Sequence, residues 1–285
     1  MLVLTANGAP PRDAYPPKLR EIEFKVAVVG GATVITVSLT AGEKRDLFKV
    51  FCDDLHEAIG HVASDEEAVQ RLFTRAARWH HFMRSGSGRV LSDREQRGLF
   101  AELSVLREVA APAIGIVAAV GAWRGPFGDQ QDFAIEGRRL EVKSTEPSSP
   151  RSFEVSSERQ LDYAATDGDT LALALVEVAR VGSDEGESLA ELVAAIREDC
   201  ERAAPAALAA FDGRLAASGY CQNDAYEIAR WDVWSLSIVK VDGRFPAIRA
   251  SELPPSITHV RYTCDLAGVE LQTVHNPFQA TSEEE

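Results

Sequence analysis

The sequence predicts an α/β protein, and two observations carry that prediction. Stretches with apolar residues at helical spacing alternate with runs rich in Val, Ile and Leu. From residue 92 onward the order reads helix, hairpin, strand, helix, strand. At 285 residues, 45% apolar and 26% charged, the chain can bury one large core or two modest ones.

The first 17 residues hold four prolines and read as irregular. Residues 20–40 alternate around the pair Gly30–Gly31, the pattern of a β-hairpin. Apolar spacings of three and four predict helices over 42–62 and 65–83. The "SGSG" at 85–88 is a turn, which divides the chain into an N-terminal hairpin-and-helix region, 1–88, and a larger domain, 89–285. In "LSDREQRGLFAELSVLREVAAP", Ser92 and Glu95 form a capping box. Leu99, Leu103, Leu106 and Ala110 share one helical face, with Glu102 beside it. A short helix over 112–121 ends at "WRGPFGD". Strands follow at 131–135, 139–144 and 151–156, then a helix beginning near Ser156 in "SSERQLDYAA". The apolar run 170–179 is a strand, and 187–199 and 203–217 have helical periodicity. The stretch "YEIARWDVWSLSIVKVDGRFP" returns to strands, with Trp231 and Trp234 on a half-buried one.

No apolar run approaches the roughly 20 residues that span a bilayer, and no signal peptide is visible, so a cytoplasmic protein is expected. Cys52, Cys200, Cys221 and Cys264 lack ligand spacing, which argues against structural zinc and disulfides. His80 and His81 have no acidic or cysteine companions at ligand spacing and read as structural or exposed. The net charge of −14 weighs against tight DNA binding by the chain alone, because phosphate neutralisation drives that affinity. Positive charge is nevertheless concentrated at Arg71, Arg75, Arg78, Arg84 and Arg89. Arg71, Arg75 and Arg78 fall on one helical face. They could form a phosphate-binding stripe, or a solvated face with Glu67 paired to Arg71.

Residues 132–145, "DFAIEGRRLEVKST", carry the chemistry. Glu136 and Gly137 turn the chain, so the strand ending in Glu141, Val142 and Lys143 lies beside Asp132. Alternation puts Glu141 and Lys143 on one side, with Asp132 able to reach it. Two carboxylates suit Mg²⁺ or Mn²⁺, and the Val142 carbonyl could add a ligand. Lys143 would stand by the attacking water, while Ser144 and Thr145 could touch a phosphate. Asp129 is an alternative first acid, although it lies in a glycine-rich turn. Acid–base alternation alone is common on solvated strands. The capped helix before it and the strand after it weigh against that reading here.

The pattern Asp132…Glu141-Val142-Lys143 resembles the PD-(D/E)XK nuclease superfamily. The wider run of "GLFAELSVLREV", "AWRGPFGDQQDFAI", "RRLEVKST", "VSSERQLD" and "LALALVEV" is similar to bacterial PD-(D/E)XK motif proteins of restriction and phage-defence gene clusters, and "GRFPAI" and "HVRYTCDL" extend the likeness. The resemblance implies a restriction endonuclease-like core, a four-stranded mixed sheet flanked by helices, and Mg²⁺-dependent cutting of DNA. It maps an acid on the preceding helix to Glu102 and a polar residue on a following helix to Gln160. Gln131 stands where proline often precedes the first acid. No motif for NTP hydrolysis or methyl transfer is visible, so an ATPase or methyltransferase partner would supply those activities, and cutting both strands suggests a homodimer. The competing expectation is a non-catalytic DNA- or protein-binding subunit with the same fold. An RNA substrate is weaker still, as no RRM or KH signature appears.

Overall fold

The computed structural model describes all residues except 8–21, 41–44, 61, 63, 70, 74, 77–89, 150, 167, 255, 258 and 279–285. The chain forms two compact units, Met1–Arg89 with Gly213–Cys221, and Val90–Asp212 with Gln222–Glu285.

In the first unit β1 (Leu2–Asn7), β2 (Ile22–Val29) and β3 (Ala32–Leu39) make an antiparallel sheet in the order β1-β3-β2. Gly30 and Gly31 both take positive φ, 60° and 87°, the requirement of a tight two-residue hairpin turn. The opening residues, expected to be irregular, pair instead along β3 from Leu2↔Val37 to Asn7↔Ala32. The alternation in "LVLTAN" fits the open side of β3, and the prolines begin only at residue 10. Thr33, Ile35 and Val37 point into the core, where Phe24 meets Phe51 and Phe73 edge-on, each at 6.3 Å between centroids. Helix α1 (Arg45–Ile59) buries Phe48, Phe51 and Leu55. The second expected helix is seen at 65–69, 71–73 and 75–76, and its remainder lies outside the described residues, with Arg78, His80, His81 and the "SGSG" turn.

The second unit starts with α2 (Asp93–Val105), where Ser92 and Glu95 make the expected reciprocal cap. Five residues of π-helix, Leu106–Ala110, follow, which helical spacing alone does not reveal. The helix expected over 112–121 is split: Gly115, at φ 78°, separates Ala111–Ile114 from α3 (Ile116–Ala122). Next come β4 (Phe133–Ile135), β5 (Arg138–Thr145), β6 (Ser152–Val155), β7 (Thr170–Val181), β8 (Glu187–Ser188), α4 (Leu189–Ala203), helix Pro205–Ala217, β9 (Arg230–Val241) and β10 (Tyr262–Asp265).

The main sheet has the order β4-β5-β7-β9-β8, with β5 and β7 parallel and the other pairs antiparallel. It is the mixed, helix-flanked sheet of a restriction endonuclease-like core, with five strands where four were implied, because the two-residue β8 adds to β9. β6 leaves this sheet to pair with β10. Leu171, Leu173 and Leu175 of β7 pack with Val239 and Val241 of β9 and with Phe153 and Val155 of β6. Each such side chain contributes about 1.5–3 kcal/mol. Between Glu177 and Val178 the β7–β9 register slips: Glu177 pairs with Ser235 and Val178 with Val233, leaving Trp234 as the extra residue of a bulge.

The helix expected from Ser156 does not form. A turn closes by Gln160 N–H to Ser157 O, followed by a 3₁₀ turn at Tyr163–Ala165. Three side chains draw this segment away from a helix. Gln131 Nε2 donates to the carbonyls of both Arg159 and Gln160, at 3.2 Å. Glu158 accepts from the Val260 amide, and Asp162 from the Ala250 amide. Among the described residues no helix is long and apolar enough to cross a membrane, and all four cysteines are free thiols.

Candidate active site

The hairpin places Asp132. β4 and β5 pair from Phe133↔Leu140 to Ile135↔Arg138, with Gly137 at φ 74° in the turn. Just before β4, the main-chain carbonyl of Asp132 accepts from the amides of Arg124 (2.6 Å) and Gly125 (2.9 Å). Its Oδ2 accepts from the Val142 amide at 2.7 Å. A strand residue directs its N–H and C=O to the same side, so the Val142 carbonyl faces the same edge as Asp132. Glu141 and Lys143 project together as alternation requires, and Lys143 Nζ lies 2.8 Å from Glu141 Oε1.

Lys143 also donates to Gln160 Oε1 at 3.1 Å. That oxygen accepts from the Ser156 amide (2.9 Å) and hydroxyl (3.0 Å) as well, so Gln160 is held in place from the turn that replaces the expected helix. From α2, Glu102 reaches the same cluster, its Oε2 accepting from Trp123 Nε1 at 2.8 Å. Gly125 marks the convergence of the acids. A Cβ there would sit 2.5 Å from Asp132 Oδ1 and 3.1 Å from Glu102 Oε2, so a side chain would drive the carboxylates from their places. Glu102, Asp132, Glu141, Lys143 and Gln160 are thus brought together.

Three carboxylates and one ammonium gather here, Glu141 buried and Glu102, Asp132 and Lys143 half-buried, and the surplus negative charge shows in their proton affinities. Burial pushes Glu102 well above the usual carboxylate range, reinforced by Asp132. Burial also raises Asp132, against the opposing pull of Lys143 and the Val142 amide. Glu141 is pushed up to about 8 by burial and then by Asp132. Burial alone would lower Lys143, but Glu141, Asp132 and Glu102 together raise it. Glu141 Oε2 is buried with no hydrogen-bond partner among the described residues. Among the described residues no three His, Cys, Asp or Glu side chains are arranged to hold a metal ion outright. A Mg²⁺ site needs fewer, because the ion keeps several waters and takes one or two carboxylates. The unpartnered Glu141 oxygen, the side-chain-free cradle at Gly125 and the hard oxygen donors fit such an ion.

The cluster opens on a cleft of about 1110 Å³ lined by Glu102, Val142, Lys143, Ser144 and Thr145. Ser144 is half-buried, whereas the buried Thr145 hydroxyl has no partner. The first turns of α2 are tied to both walls by ion pairs: Asp93 with Arg180, Arg94 with Glu154, and Arg97 with Glu146. Of the arginines that could form a phosphate-binding stripe or a solvated face, Arg71 and Arg75 are described. Arg75 is a correction: it is buried against Asp54, donating from Nε and Nη2 at 2.7 and 2.6 Å, and so is closed to phosphate. Arg71 pairs with Glu67 at 2.8 Å on an exposed face. Asp129 pairs with Arg124 at 3.0 Å instead of joining the acids. Trp231 is buried and Trp234 exposed. Sequence reasoning missed Trp123, Gly125, Gln131 and the cleft arginines. The signal for the first two was the "WRGP" stretch, a bulky donor and a glycine just ahead of the first acid.

A family model described as "Putative PD-(D/E)XK family member, (DUF4420)" matches residues 1–267. None of the curated proteins and none of the solved structures matches the chain.

Proposed function

The chain belongs to this family, DUF4420, and from that premise we propose that it is a Mg²⁺- or Mn²⁺-dependent DNA endonuclease, the cutting component of a bacterial restriction or phage-defence system working in the cytoplasm. One observation carries the reading: half-buried Asp132 and buried Glu141 lie beside Lys143, with one Glu141 oxygen left without a partner among the described residues.

Asp132, Glu141 and the Val142 carbonyl would hold the ion, with Glu102 as a fourth oxygen donor. When bound, the ion supplies an acidified water and a polarised phosphoryl oxygen. Lys143 orients the attacking water and offsets charge developing on the phosphate. Gln160 keeps the Lys143 ammonium directed, and Trp123 keeps the Glu102 carboxylate turned to its indole. Half-buried Ser144 could offer its hydroxyl to an incoming phosphate, whereas the Thr145 hydroxyl, expected to do so too, is buried and closed to one. A homodimer would provide two such sites for a duplex, and an ATPase or methyltransferase partner would add the functions for which the chain has no motif.

The test is cleavage of plasmid DNA by the purified full chain with Mg²⁺ or Mn²⁺. Lys143→Ala is expected to reduce the rate about 10²- to 10³-fold, the scale for removing one preorganised charge donor. Undiminished cleavage by that variant overturns the mechanism. The second reading, a non-catalytic binding subunit, draws on the self-paired cleft arginines and the net charge of −14. Calorimetry showing no divalent-metal binding would select it, and RNA cleavage in place of DNA would reassign the substrate.

A further inference from the structure

We propose that Trp234 stacks on an unpaired base of the strand being cut, so that the cleft takes nucleic acid with single-stranded character near the cleavage point. This rests on the nuclease reading above and names its substrate class.

The first observation is the bulge. Ser235 and Val233 keep their partners on β7, and Trp234 is the residue left over. A bulge beside a site serves to re-aim one side chain. The second is exposure: Trp234 is 60% exposed and lines the cleft, the only large exposed apolar side chain to do so among the described residues. The strand around it is not an apolar docking face, since Asp232, Ser235 and Ser237 are exposed as well. An isolated indole ringed by polar groups suits a flat, polar, anionic partner; an apolar helix would need a contiguous stripe.

Charge gives the third argument. The cleft lining holds four cations, Arg94, Arg97, Lys143 and Arg180, and four anions, Asp93, Glu102, Glu146 and Glu154. Formal neutrality leaves little net counterion release to drive binding, so affinity must come largely from elsewhere. Stacking of one base on an aromatic ring supplies about 1–3 kcal/mol and does not depend on charge. Position fits too. Trp234 lies two strands across the sheet from Lys143 and roughly three residues along, on the order of 10–15 Å away by strand geometry. A base held there is near the scissile phosphate without crowding it. Bases inside an intact duplex are stacked on their neighbours and cannot offer a face to the indole.

The experiment measures binding of the full chain, by fluorescence anisotropy in Ca²⁺, to three labelled DNAs of one length: a single strand, a blunt duplex, and a duplex with a short gap. Trp234→Ala is expected to weaken the single-stranded and gapped DNAs about tenfold and the blunt duplex less than twofold, with Trp234→Phe in between. Indole fluorescence, taken as the difference between wild type and Trp234→Phe, should be quenched by the gapped DNA. Equal affinities of wild type and Trp234→Ala for all three DNAs, or an equal loss on all three, overturns the stacking proposal. If cleavage that depends on Lys143 is still seen, the nuclease reading survives that result; if wild type neither binds nor cuts any of them, both fall.

Discussion

Two ion pairs in this chain, each with a buried carboxylate, look alike on paper and differ in completeness. In the N-terminal unit, Arg75 and Asp54 form a forked pair in which the guanidinium meets both carboxylate oxygens. In the larger unit, Lys143 reaches the buried Glu141 from the cleft, but through one oxygen, while the other has no partner among the described residues and two more carboxylates stand by. The first pair leaves neither carboxylate oxygen without a donor. The second is under-neutralised, which is costly for a structural element and useful for a site that must accept a cation.

The comparison can be broken most forcefully at the closed pair. Arg75→Ala removes both hydrogen bonds that the guanidinium gives the buried Asp54 and is expected to cost about 3–5 kcal/mol in urea unfolding, whereas an Arg75→Met, Asp54→Leu double variant should recover most of that. At the open cluster, Gly125→Ala is expected to weaken Mn²⁺ binding about 10- to 100-fold by calorimetry, because the new methyl displaces the Asp132 carboxylate. Gly121→Ala, where a Cβ meets nothing, is the control.

A third test uses protons. Glu141 holds its proton up to about pH 8 in the folded chain and only to the ordinary carboxylate range when unfolded. The folded state therefore binds more protons between these limits, and stability falls as pH rises from about 5 through about 8. The melting temperature of metal-free protein should drop by several degrees across that window, and Glu141→Gln should flatten the slope. A flat wild-type profile would show that the cluster is neutralised by other means. The smallest effect is expected at Gln160, where Gln160→Ala frees one Lys143 contact and should slow cleavage less than tenfold.

Much of this was legible in the sequence, for local reasons. The turn at Glu136–Gly137 and strict alternation through Glu141 and Lys143 determine which side chains meet. The Ser92–Glu95 cap starts the helix that carries Glu102, and Glu102 arrives because that helix keeps its register. The segment around Gln160 was misread because its spacing is helical while its partners are distant: Gln131 takes two of its carbonyls, and Glu158 and Asp162 bind the C-terminal loops. The proximity of Trp123 and Gly125 to the acids likewise depends on long-range packing, and so do the pairings of Arg75 and the cleft arginines.

The ion pairs that lash the start of α2 to the cleft walls have a consequence for turnover. On the proposed function, a nucleic-acid strand entering here would meet Arg97, Arg94 and Arg180 already paired, and its phosphates would have to trade places with Glu146, Glu154 and Asp93. An exchange of anions changes the free energy less than a capture does, and it runs as readily backward. If the chain cuts as proposed, the same three side chains would return to their arginines and displace the product, so that an acidic protein would not be left clinging to it.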